Sequence, residues 1–522
     1  MPSHPKSSFF PTLDSLVIIT SLAFCLRLFA VLPSSFPLND GGMFYTMVQD
    51  IQAAGFKLPM FTSFNSSLIP FAYPPLSLYV TALLNTLPLP LLSLFRFLPL
   101  VVSTLTVPAF FLLAKQVLKS KDVLLATLIF TLLPRSFEWQ IMGGGITRSF
   151  GQLFSILTLA YSAKFFRQSS KTYFLISSLL LALTIISHLE LTFFAVSSLI
   201  FLTLHFTPNF SGIKKVSAII LTSLILTSPW WMLILARHGL SPFLNAAASG
   251  LQAFDPTSYT LFLTLSSVTD EVFLPVLGTL TLLGLVVTIQ KRAWWLLSWF
   301  YLPIIIAPRN FLNFIVVPMS LVITHAVTSL LLPFFTHIIK PFSFRSLLAL
   351  LIIPLYLLVS AIAFILPDNR YFDSVSSSEK TAIEWVKQYT PPNSRFLILS
   401  PQIFSSWGMD SLLEWFPALS QRISLATPQG TEWLPNHEFR LRKKLHQKIK
   451  GCYLQDPSCL ESIFSSPTFR SLPIFQYILI SRDNSLLSQA CEVCLLTQQL
   501  QNSPRYKSVY QNPQVTIFSF SP

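Results

Sequence analysis

Asp40, Glu138, Arg148, His188 and Glu190 interrupt a chain otherwise built from long apolar runs, and their types suit acid–base and phosphate chemistry. Asp40 lies in Pro37-Leu38-Asn39-Asp40-Gly41-Gly42-Met43-Phe44, closely after the first apolar run. A carboxylate there can act as general base toward a hydroxyl or hold a divalent cation, and the glycines let backbone approach a ligand. A helix cap or interfacial turn accounts for the same residues. The segment from Arg135 to Arg148, with Glu138, Gln140 and Gly143-Gly144-Gly145, sets backbone N–H groups beside a guanidinium near a helix start. That combination suits a phosphate, such as the one joining a sugar to a lipid. It lacks the Lys-Ser/Thr ending of a Walker loop, and a plain membrane-boundary loop also explains its glycines. His188 and Glu190 can relay a proton or coordinate a metal, with Asp40 as a further ligand; helix-end polarity is the competing explanation.

Arg309-Asn310 can clamp a phosphate together with Arg148, or cap helices. Trp407, Trp415 and Trp433 stand near Asp410, Glu414 and Glu432. Such pairs suit sugar faces and hydroxyls, and equally a domain seam or a membrane interface. Of the five cysteines, Cys25 lies in an apolar run, whereas Cys452, Cys459, Cys491 and Cys494 are disulfide candidates in the polar C-terminal part, with alternative pairings open. Cys491 and Cys494 alone do not make a zinc site, since no second CxxC or adjacent histidine accompanies them.

The elements that must hold these residues are membrane helices. The chain of 522 residues is 52% hydrophobic and only 11% charged, with mean hydropathy +0.61. Soluble domains carry about 25% charged residues, so much of this surface must face lipid. The net charge of +14 would suggest nucleic acid in a soluble protein. Here the basic residues cluster in turns between apolar runs, where they anchor helices to headgroups, and no nucleic-acid partner is expected.

Residues 13–32 are long enough to span and lack a small-residue cleavage site, so they are expected to be a membrane helix rather than a cleaved signal. Eleven further apolar runs end at residue 366. The turns with Lys115, Lys119 and Lys121, with Lys164, Arg167 and Lys171, with Lys214-Lys215, with Lys291-Arg292, and with Lys340 and Arg345 fit one cytoplasmic side. If residues 13–32 run outward and 34–73 are external, an odd number of spans is needed between that loop and Lys115. Either one of the two runs there is partial, run 74–92 with its Pro74-Pro75 opening being favoured, or the N-terminus begins outside. The expectation is a polytopic α-helical domain over 1–366 with about 11–13 transmembrane helices. It carries an external loop at 34–73 and a second long loop, 237–271, able to cover a lipid-facing cavity. Residues 367–522 read as an extracytoplasmic α/β domain, with a helix at 378–389 and strands at 395–400, 475–481 and 515–520.

The first helix, the acidic loop with Asp40, and Pro70-Phe71-Ala72-Tyr73-Pro74-Pro75-Leu76 resemble the GT-C superfamily of membrane glycosyltransferases, which includes protein mannosyltransferases, aminoarabinose transferases and oligosaccharyltransferase catalytic subunits. Among these the pattern is nearest to prokaryotic members with the same terminal domain. The resemblance implies transfer from a polyprenyl-phosphate sugar at the outer face of the cell membrane to a glycan, lipid or protein hydroxyl. On that reading Asp40, Glu138, His188 and Glu190 are the catalytic candidates. Tyr73, Arg148, Arg309, Asn310, Trp407 and Trp433 are the substrate-binding ones. Many members carry a second acid beside the one matched by Asp40, where this chain has Gly41-Gly42. That favours Asp40 acting alone as base over a divalent metal held by Asp40 and His188. Trp407-Gly408-Met409-Asp410 does not reproduce the Trp-Trp-Asp motif, which disfavours asparagine glycosylation. A transporter or flippase, and a non-catalytic envelope assembly protein, are the alternatives.

Overall fold

A computed structural model describes residues 12–251, 269, 271–306, 311–334, 344–366, 372–400, 410–470, 472–482 and 492–521. Arg309, Asn310, Trp407 and Cys491 lie outside the described residues, as does the side chain of Cys494.

Helix α1 (Thr12–Val31) contains no glycine or proline, and Pro33 follows its end. After α2 (Gly42–Ala53) comes the short antiparallel pair β1 (Phe61–Thr62) and β2 (Ile69–Pro70). Helix α3 (Leu76–Leu84) has only nine residues, about half of what a span needs. Helix α4 (Leu91–Val117), with 27 residues, is long and apolar enough to cross a membrane and accommodates Pro99 and Pro108.

Helices α5 (Val123–Leu132), α6 (Gly145–Gln168), α7 (Lys171–Ile185), α8 (Leu189–Phe206) and α9 (Phe210–His238) then alternate in direction. Helix α6 is the hub, packing on α4, α7 and α8. Arg167 donates to the carbonyl of Gln116, and Lys215 Nζ to the carbonyl of Phe166 (3.1 Å) and to Ser169 Oγ (2.8 Å). These basic turns therefore share one end of the bundle. At the opposite end Leu76 N donates to the carbonyl of Ile186 (2.9 Å), and Arg237 Nη1 to the carbonyl of Leu58 (2.8 Å).

The start of 237–271 is helical rather than a loop: α10 (Ser241–Leu251) packs on the turn that carries Trp433. Helices α11 (Val276–Gln290), α12 (Trp294–Ile306), α13 (Val316–Ala326) and α14 (Phe344–Ile365) complete the apolar part. Among the described residues five helices are long and apolar enough to cross a membrane, and shorter apolar helices accompany them. Large apolar side chains such as Ile18, Phe29, Phe193 and Ile225 face outward, as lipid-exposed surface requires. The chain is a multi-pass membrane protein.

The C-terminal part opens on α15 (Ser377–Tyr389), begun by a capping box in which Ser376 and Glu379 satisfy each other's backbone N–H. Its apolar face, Ala382, Ile383 and Val386, is buried. The sheet orders its strands β4-β3-β5-β7-β6. Strand β3 (Arg395–Leu399) runs parallel to both β4 (Ile423–Ser424) and β5 (Tyr477–Ser481). Strand β7 (Val515–Phe520) pairs antiparallel with β5 and with the edge strand β6 (Tyr506–Gln511). Strands β4 and β6 escape the sequence reading because one has two residues and the other a polar edge pattern. Helix α16 (Ser411–Ser420) follows β3 and lies directly against α2 of the membrane part.

Candidate active site

The site is built where two backbone segments, 38–43 and 143–148, close on each other. Gly143 N donates to the carbonyl of Leu38 (2.8 Å) and Gly144 N to that of Asp40 (3.1 Å). Only glycine permits this approach. Gly41 has φ +127°, and a Cβ on it would lie 2.8 Å from the carbonyl carbon of Gly143. A Cβ on Gly144 would lie 2.4 Å from Asp40 Oδ2. The glycines read as a phosphate cradle thus serve first to seat the acidic loop.

Asp40 consequently faces the first turn of α6. Its Oδ2 accepts from Arg148 Nη1 (2.7 Å), and its Oδ1 from Arg148 Nη2 (2.9 Å) and Gly144 N (3.0 Å). Arg148 is fixed in turn by Nε donating to the carbonyl of Trp139 (2.9 Å) and by the Trp139 ring, 5.2 Å from the guanidinium carbon. This is a bidentate pair, the stronger kind of ion pair. Both side chains keep a little surface, 17% and 18%.

One residue before Arg148, Thr147 Oγ1 lies 3.1 Å from Tyr73 Oη. The Tyr73 ring meets Phe44 (4.7 Å), Trp433 (5.9 Å) and His188 (6.2 Å) edge to face. Burial raises the Tyr73 phenol pKa, so it stays a neutral donor. His188, in the turn before α8, is nine-tenths buried, which lowers its pKa to about 4 and leaves the imidazole neutral. Glu190 is half-buried in the first turn of α8 and acts electrostatically on both Tyr73 and His188. Glu138, fully buried, turns instead to Arg135 Nη1 at 2.9 Å. Trp433 is buried between Tyr73 and Phe243.

A divalent cation does not fit this arrangement. Both Asp40 oxygens already face a guanidinium, and among the described residues no three His, Cys, Asp or Glu side chains converge. The donor set suits an anion.

The C-terminal domain supplies residues that sequence reasoning did not assign to the site. Glu414 Oε1 accepts from Gly41 N (3.0 Å) and Met43 N (3.4 Å), on either side of the start of α2. Trp415 Nε1 donates to the carbonyl of Asn39 (3.0 Å). Asn39 and Asp373 bond reciprocally, Asn39 N to the Asp373 carbonyl and Asp373 N to Asn39 Oδ1, each at 2.7 Å. Trp415 is fully buried among Phe36, Tyr45 and Phe95, so it docks the domain and offers no face to a sugar. Arg27 was also missed. Wholly buried in α1, it donates to Ser103 Oγ (2.9 Å) and stacks on Phe137 (4.9 Å), tying α1, α4 and the 135–148 segment together. A lone charge in an apolar span is the signal that marks it. Elsewhere in the domain, Cys452 and Cys459 form a disulfide.

No family model matches the sequence, and no curated protein does. Solved structures do resemble the fold. The apo oligosaccharyltransferase of Archaeoglobus fulgidus aligns with TM-score 0.55 and 13% identity over 92% of this chain and 70% of its own. ArnT of Cupriavidus metallidurans, solved with bound undecaprenyl phosphate, aligns with TM-score 0.52 and 10% identity over 98% of each chain. The mycobacterial arabinofuranosyltransferase AftD aligns with TM-score 0.55 and 14% identity over 98% of this chain, which spans 42% of that protein. The apolar helical bundle joined to a C-terminal sheet domain thus shares its fold with these three solved structures.

Proposed function

We propose that the protein is a glycosyltransferase that moves a sugar from a polyprenyl-phosphate donor to a hydroxyl-bearing acceptor at the outer membrane face. The observation that carries this reading is the Asp40–Arg148 pair, a base and a phosphate-binding cation held together at one end of a bundle with this fold. The outer face is inferred from the basic turns, which gather at the opposite end of the bundle.

In the reaction, Asp40 takes the proton of the acceptor hydroxyl as its oxygen attacks the anomeric carbon. The bond from that carbon to the phosphate oxygen breaks, and its electron pair leaves with polyprenyl phosphate. Arg148 stabilises the charge that grows on the departing phosphate. Tyr73 and neutral His188 lie beside this pair as hydrogen-bonding groups for sugar or phosphate oxygens. Trp433 shapes the wall behind Tyr73. The neighbours support a lipid-linked donor through the undecaprenyl phosphate bound to ArnT and an acceptor through the peptide tethered to the oligosaccharyltransferase.

The test is turnover by the purified protein in liposomes that contain radiolabelled polyprenyl-phosphate hexoses or pentoses. The expected result is stoichiometric release of polyprenyl phosphate with label on a hydroxyl acceptor. Movement of intact donor across the bilayer without any glycosyl product would instead establish a flippase.

A further inference from the structure

The pair that marks the site also fills it. Arg148 presents its two-nitrogen fork to Asp40 at 2.7 and 2.9 Å, and Gly144 N adds a third donor at 3.0 Å. A phosphate offers oxygens at a spacing that matches the same fork. Lying alongside is His188, nine-tenths buried, whose Nδ1 has no hydrogen-bond partner. Buried polar atoms are normally satisfied, so this unmet nitrogen, on a ring whose centre lies 6.2 Å from that of Tyr73, is a place for a ligand oxygen. The protein therefore holds a built anion site whose present occupant is the chain's own carboxylate.

We propose that the Asp40 carboxylate and the donor's phosphate compete for Arg148, so that donor binding displaces Asp40 and frees it to act as base. This rests on the glycosyltransferase reading above. On the fork both carboxylate oxygens already accept hydrogen bonds, from the guanidinium and from Gly144 N, and are engaged there rather than with an acceptor hydroxyl. Without donor, Asp40 stays on the fork and holds the loop closed. With phosphate on the fork, the carboxylate turns from the α6 N-terminus toward the acceptor. Donor binds before acceptor, and Arg148 serves the two anions in succession.

The experiment measures equilibrium binding of undecaprenyl phosphate in detergent to wild type, Asp40→Asn, Arg148→Ala and the double variant. Asp40→Asn is expected to bind about tenfold more tightly than wild type, since the competing anion is gone. Arg148→Ala is expected to bind more weakly, and Asp40→Asn is expected to have no effect in the Arg148→Ala background. Unchanged or weakened binding by Asp40→Asn, with Arg148→Ala still weak, overturns the competition while leaving the donor reading intact. Equal binding by wild type and Arg148→Ala overturns both. Thermal midpoints confirm folding, and Asp40→Ser takes the place of Asp40→Asn where that variant does not fold.

Discussion

Among single residues, Asp40 and Arg148 are legible in the sequence because a charge beside an apolar run is costly and stands out. Their bidentate contact is not legible, since it joins positions 108 residues apart through a glycine-mediated approach of two loops. Glu414 is harder still. Beside Trp415 it reads as a sugar-binding acid, whereas its carboxyl is buried and receives the backbone N–H groups of Gly41 and Met43. Burial and the adjacent Asp40 carboxylate raise its pKa, so the protonated carboxyl accepts through one oxygen much as an amide would. Glu414→Gln is therefore expected to keep most of the activity. Glu414→Ala orphans two buried donors and is expected to cost about 1–3 kcal/mol of stability. It should also lower kcat for transfer more than it alters KM for the donor. Parallel melting curves and steady-state kinetics check this; an Ala variant with wild-type kcat would remove Glu414 from positioning the loop.

For the elements, the apolar periodicity gave the helices and the compositional change after residue 366 gave the sheet domain, but not how α16 docks on α2. That seam depends on polar groups whose partners are distant in sequence, Asn39 with Asp373 and Gly41 with Glu414. It also makes the seam sensitive to pH. Burial and the adjacent Asp40 carboxylate raise the Glu414 pKa. A carboxyl whose folded pKa lies above its unfolded value contributes stability that is complete below the ordinary carboxylate range and is lost as pH rises through the folded value. The thermal midpoint is therefore expected to fall between pH 5.5 and pH 8.5, and Glu414→Gln to flatten that slope. A midpoint that rises over this interval in wild type would contradict the seam's electrostatics. Arg27 illustrates the converse: its charge is visible in the sequence, yet its partners Ser103 and Phe137 appear only when α1, α4 and the 135–148 segment pack.

Across the whole molecule, sidedness links the parts. The basic turns at one end of the bundle and the Asp40 loop, Arg148, His188 and the sheet domain at the other give a polar working face on an apolar scaffold. The sequence carried this division through its charge pattern. What was not readable is which polar groups meet, because helix packing and loop closure decide it rather than local spacing. The most direct measurement is transfer from a polyprenyl-phosphate sugar by wild type and Asp40→Asn, with melting curves for both. Loss of a general base gives a fall in kcat of about 10²–10⁴ while the fold persists. Wild-type turnover by a folded Asp40→Asn protein would contradict the catalytic role of Asp40.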